Sequence, residues 1–180
     1  QFSSEEKLFE RGIKHVRINM ASFHVISESI CDEYMSYISE YNINPDNIIF
    51  ELFINEDVPE DVLSRGIAYL RKRGLHVCWD QFGTNACNLK NLMEMPFDCV
   101  KINNMVVSMY CNEKSTQLIY IIRMFRERGW IVCLDGVRYP DGFEMVKKMD
   151  VDYIQGRELM KFVPEDKIRE FLLKKGGILG

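Results

Sequence analysis

The sequence contains no apolar run approaching the ~20 residues needed to cross a bilayer, no signal-peptide pattern and no glycine-rich phosphate loop. It contains no CxxC pair, so neither a zinc site nor a thioredoxin-type redox motif is suggested. Basic charge is not in excess. Lys and Arg number 23 against 27 Asp and Glu, a formal net charge of −4. That balance leaves no basic face for a nucleic-acid duplex and no attraction to an anionic membrane surface. His15, His24 and His76 have no spacing that suggests a metal cluster or a nucleophile triad, and structural or solvated roles are expected for them. Low-complexity tracts and linker-like stretches are lacking too, so residues 1–180 read as one domain.

What is present is ordinary globular material, 47% hydrophobic and 28% charged. Ten methionines and six scattered cysteines suit a reducing, cytoplasmic setting better than a disulfide framework. Cys78, Cys99 and Cys133 lie inside apolar runs and are expected to pack as small buried hydrophobes. Trp79 follows Cys78 in the same run and is expected in the core.

The dominant pattern is alternation. Short β-branched or aromatic runs at Val16 to Ile18, Ile48 to Phe50, Val77 to Trp79, Phe97 to Ile102, Ile131 to Leu134 and Val151 to Ile154 predict six strands. Apolar residues at helical spacing predict helices over Glu28 to Tyr41, Pro59 to Lys72, Ser115 to Arg128, Asp141 to Lys148 and Glu165 to Lys174, with Ser115 as an N-cap. Gly74 and Gly129 follow basic helix ends, the expected C-terminal stop. The stretches Asn85 to Asn91 and Asn103 to Asn112 read as loops. Strand–helix alternation with short connections means βα units and a parallel sheet, either doubly wound or closed into a barrel.

Each strand carries a polar residue at or near its end: Asn19, Glu51, Asp80 (then Gln81), Lys101 within its run, Asp135 and Gln155, between 20 and 34 residues apart. In a (β/α) barrel these ends share one mouth, where functional groups collect. Carboxylates and amides without His or Cys suit Mg²⁺, Mn²⁺ or Ca²⁺ rather than zinc or copper, and a lysine beside them suits a phosphate or a metal-bound water. Such a set suits metal-assisted phosphodiester hydrolysis.

With Asn19-Met20-Ala21-Ser22, Glu51-Leu52-Phe53, Asp80-Gln81-Phe82-Gly83-Thr84, Lys101-Ile102-Asn103, Asp135-Gly136-Val137-Arg138 and Gln155-Gly156, the chain from His15 onward resembles the EAL domain family. The resemblance implies a TIM-type (β/α) barrel and opening of cyclic-di-GMP to linear pGpG. It implies Asn19, Glu51 and Asp80 as ligands of a first Mg²⁺ or Mn²⁺, residue 81 at a second, and Asp135 completing the set. Lys101 would orient the attacking water, and Gln155 would support the substrate or the water network.

Several positions depart from the family pattern. The Glu-Ala-Leu tripeptide is absent, so the barrel is expected to lack its first strand and helix, leaving an edge for a loop, an upstream segment or a second copy to cover. Gln81 and Asn103 stand where acids are expected, Asp135 is one methylene short of a glutamate, and Arg138 replaces the glutamate after Gly-Val. Asn85-Ala86-Cys87-Asn88 replaces the usual Gly-Tyr-Ser-Ser of a loop linked in the family to dimerisation. Each lost carboxylate removes a charge on which affinity for a hard cation depends. Three readings follow. One is a non-catalytic module that binds cyclic-di-GMP through Arg138, Lys101 and Gln155, or binds a protein partner or upstream signalling domain. Another is a weak metal-dependent phosphodiesterase. The third is a structural or regulatory domain without nucleotide binding, with metal weakly held or not used.

Overall fold

Short strands with alternating inward and outward side chains organise the chain. The computed structural model describes residues 8–10, 12–54, 58–84, 89–113, 115–138 and 140–157, together with 159, 163, 167 and 170. Among these, six parallel strands form one sheet in the order β1 to β6: β1 Val16–Met20, β2 Ile48–Leu52, β3 His76–Phe82, β4 Cys99–Ile102, β5 Ile131–Leu134 and β6 Tyr153–Ile154. Helices α1 Ser22–Val25, α2 Glu28–Glu40, α3 Glu60–Lys72, α4 Leu89–Glu94, α5 Asn104–Glu113, α6 Gln117–Glu127 and α7 Asp141–Val146 lie between them. The sheet curls. The His15 ring bonds the Tyr153 hydroxyl from the first strand side to the last, and the Arg17 guanidinium lies 5.6 Å from the Tyr153 ring centroid. This is a partial (β/α) barrel, as expected.

The period of two along each strand separates two interiors. Phe50, Leu52, Val77, Trp79, Val100, Ile102, Val132 and Leu134 belong to the large core under the helices. Ile49, Cys78 and Cys99, packed against Ile131, form a second, smaller cluster within the curl. The same alternation places Arg17, Glu51, Asp80 and Lys101 in register with that inner layer. Trp79 is 1% exposed, stacked on Phe97 and edge-on to Phe82, so its core placement holds. Cys78, Cys99 and Cys133 are buried as expected. Burial pushes the Cys133 thiol up to about 12. Gly74 and Gly129 both take positive φ after their helices, as the stop signals require.

Three expectations are corrected. Asn103 to Asn112 is not a loop. Asn103 Oδ1 accepts the Met105 N–H at 2.8 Å and starts α5, which runs through most of that stretch. The Asn85 to Asn91 loop gives way to α4 from Leu89, its first four residues lying outside the described ones. Ser115 is not the cap of α6. That helix begins at Gln117 after Thr116, and the Ser115 hydroxyl instead bonds the Gln117 side chain. Most of the helix expected over Glu165 to Lys174 lies outside the described residues. Among the described residues no helix is long and apolar enough to cross a membrane.

At the N-terminal end of the strands, His76 meets Asp98 at 2.8 Å and Asp46 at 3.1 Å, with the His15 ring edge-on at 5.5 Å. The hydrogen bond to Asp98 raises the His76 pKa above its ordinary value. Burial and then His76 lower that of His15. A raised histidine contributes stability that is fully present below its unfolded pKa of about 6.5 and lost as pH rises through the folded value. His15 acts in the opposite sense. Thermal melts across pH 6 to 8.5 are therefore expected to show a smaller fall in Tm on the alkaline side for His76→Gln than for the unmodified chain. An unchanged profile would contradict the His76–Asp98 pairing.

Candidate functional site

The strand ends converge as two neighbouring groups. In the first, Glu51 at the end of β2 is 7% exposed and both its oxygens are taken. Oε1 accepts from Arg17 Nε and Oε2 from Lys101 Nζ, each at 2.5 Å. Lys101 Nζ also reaches Asp80 Oδ1 at 2.9 Å, and the Gln81 N–H donates to that same oxygen at 2.8 Å. Burial works against the Glu51 charge, but Arg17 and Lys101 outweigh it and hold the carboxyl below its usual range. Burial likewise disfavours the Lys101 cation, and the hydrogen bonds to Glu51 and Asp80 more than offset it, raising the ammonium.

Beside this group, Gln81 Oε1 accepts from Asn103 Nδ2, so the two amides are hydrogen-bonded to each other. Gln81 holds φ at 61°, in the left-handed region that costs a non-glycine residue on the order of 1–3 kcal/mol. The register between β3 and β4 shifts between Trp79 and Phe82, which re-aims the side chain across the mouth. Thr84 secures the turn through its hydroxyl on the Gln81 carbonyl at 3.0 Å.

The second group lies past β5 and β6. Asp135, Arg138 and Gln155, with Asn104 and Arg157, line an open cavity of about 470 Å³. Asp135 Oδ1 accepts the N–H of the next residue, Gly136, at 2.8 Å, a local bond at the strand end. The two loops touch closely. Val137 N–H donates to the Gln155 carbonyl at 3.0 Å, and a Cβ at Gly156 would overlap the Val137 carbonyl. Asn19 is exposed at the end of β1, directly across from Glu51 in the ladder.

The expected set thus lies at one end of the barrel, with Lys101 bonded to both Glu51 and Asp80, and Asp135, Arg138 and Gln155 around one cavity. Arg17 was missed, although it lies two residues before Asn19 and so on the same strand face. Arg157 and Asn104 were missed too. No strand-end rule marks them, and only the approach of the β4, β5 and β6 loops brings them to the cavity.

The EAL domain family matches residues 2–161. The chain belongs to the EAL domain family. Among similar proteins, Escherichia coli (strain K12) PdeB, a probable cyclic di-GMP phosphodiesterase, is 26% identical over 153 residues, covering 85% of this chain and 29% of that protein. The chain spans between about a fifth and a third of the length of the curated relatives it matches, 29% to 33% for three from Escherichia coli and 20% for two others. The crystal structure of the EAL domain of Mycobacterium smegmatis DcpA superposes with a TM-score of 0.83 at 17% identity, covering 96% of this chain and 80% of that one. The manganese/cyclic-di-GMP complex of Klebsiella pneumoniae BlrP1 superposes at 0.74, with 18% identity and 86% and 40% coverage. At such identities these structures establish the fold, a barrel of the EAL type.

Manganese in that neighbour raises the question of whether the EAL mouth of this chain fits a divalent ion. It does not fit as it stands. Both oxygens of Glu51 already carry a cation, and residues 81 and 103 contribute neutral amides bound to each other. Among the described residues no three His, Cys, Asp or Glu groups gather as a ligand set.

Proposed function

We propose that this chain is an EAL module that binds cyclic-di-GMP without hydrolysing it, in the cytoplasm, as part of a longer signalling protein or with a protein partner. A homodimer is a further possible assembly. The observation that carries the reading is the Gln81–Asn103 amide pair. At the two positions where the family pattern calls for acids, the side chains are neutral amides bonded to each other and supply no charge to a metal. Arg138 and Gln155 support the binding half. They line a polar cavity of about 470 Å³, within the range of small-molecule sites, and a guanidinium at its rim suits a phosphate diester. Any Mg²⁺ or Mn²⁺ contribution from Asn19, Glu51, Asp80 and Asp135 is weak in this reading, and binding proceeds without it.

A second reading, a weak phosphodiesterase yielding pGpG, is supported by the contact of Lys101 with Glu51 and Asp80. In it Lys101 would orient the water and Gln155 would support the substrate. Calorimetric titration of cyclic-di-GMP in the presence of EDTA tests the first reading. Saturable binding is expected, weakened about 10-fold or more in Arg138→Ala, since a hydrogen bond to a charged group contributes about 1.5–3 kcal/mol. No binding by the unmodified chain would refute it and leave a domain without nucleotide recognition.

A further inference from the structure

We propose that Arg17 is a built-in counter-cation that takes the electrostatic place of a divalent ion at this barrel mouth. Arg17 reaches inward from β1 with its side chain only 17% exposed. Besides its bond to Glu51, Nη2 lies 3.3 Å from Cys78 Sγ and 3.8 Å from Cys99 Sγ, and the guanidinium faces the Tyr153 ring. Nη1 is buried without a partner, the one such side-chain atom among the described residues. A guanidinium does not give up its proton in a protein, so this charge is permanent.

Burying it, with a donor left unpaired, is costly unless an opposite charge compensates. Glu51 supplies that charge. Together Arg17 and Lys101 carry two positive charges against the two negative charges of Glu51 and Asp80, and the buried network is neutral. A divalent ion added at Glu51 would place four positive charges against two carboxylates, with hard oxygen ligands too few to satisfy it. Arg17 therefore blocks metal at Glu51 whatever the amides at 81 and 103 contribute. Restoring acids at those two positions is not sufficient to load the site. The inference concerns metal alone and stands apart from nucleotide binding.

Titration of Mn²⁺ alone, followed by calorimetry and by thermal melts, tests it on the unmodified chain and on Arg17→Met. The unmodified chain is expected to show no saturable Mn²⁺ binding tighter than about 1 mM and no rise in Tm. Arg17→Met is expected to melt lower and to gain saturable Mn²⁺ binding that raises its Tm. Tight Mn²⁺ binding by the unmodified chain that disappears in Glu51→Gln would overturn the proposal, as would a folded Arg17→Met that gains none. Should Arg17→Met not fold, the Arg17→Met/Glu51→Leu double variant decides. Its recovery over the single variants, by roughly 10-fold or more in the folding constant, is expected. Simple additivity would overturn the proposal.

Discussion

Replacing Lys101 with methionine is expected to cost about 3–5 kcal/mol, the usual penalty for removing one partner of a buried ion pair. For a chain of this size that is roughly 6–20 °C in Tm. The expectation rests on position. Lys101 is 6% exposed overall and its ammonium bonds both Glu51 and Asp80. Methionine fills much the same volume, so the loss reports the charge rather than a cavity. Glu51 would keep Arg17, whereas Asp80 would keep only the Gln81 N–H.

The pH dependence has a defined sign. Because the folded Glu51 carboxyl lies below its ordinary value, its pairing contributes stability above the unfolded pKa of about 4.3 that is lost as pH falls through the folded value. In Lys101→Met that acid-side loss is smaller and is complete at a higher pH, because the folded carboxyl then lies closer to its unfolded value. A change under about 1 kcal/mol would show instead that the three groups behave as a solvated surface cluster.

Trp79→Ala is expected to cost a similar amount, about 3–5 kcal/mol, by a different mechanism. The indole is 1% exposed, lies 26° from parallel to Phe97 at 5.5 Å, and meets Phe82 edge-on at 5.6 Å. Phe82 in turn sits edge-on to Phe125, so one deletion opens the aromatic core between β3 and α6. The next residue in the strand is Asp80, and Gln81 follows with its left-handed backbone. Loosening Trp79 therefore disturbs the mouth as well as the core. Urea unfolding is expected to give a lower midpoint at an unchanged slope, the signature of lost stability without a change in the surface exposed. A loss below about 1 kcal/mol would place the core elsewhere.

The barrel was legible because its strands carry their signal locally. Ile48 to Phe50 and Ile131 to Leu134 are short, β-branched and bounded by polar ends, and period two assigns alternate residues to opposite faces. The site was legible to the same depth, since Glu51, Asp80 and Lys101 are strand-end residues. What stayed hidden was pairing. Arg17 sits in a run that reads as apolar, and its partner is Glu51, 34 residues on. Only the strand register and the curl of the sheet bring them together. The helix α5 was hidden for a local reason. Its asparagines at 103, 104 and 112 suggest a loop, yet Asn103 acts as a cap, the role in which asparagine favours a helix.

Incubating the protein at concentrations comparable to cyclic-di-GMP, with Mn²⁺, and quantifying pGpG over time separates binding from catalysis. No pGpG above the protein-free control is expected, even when all nucleotide is bound. Product that accumulates with the unmodified chain and vanishes in Glu51→Gln would contradict a non-catalytic module and show that the cations on Glu51 yield to metal.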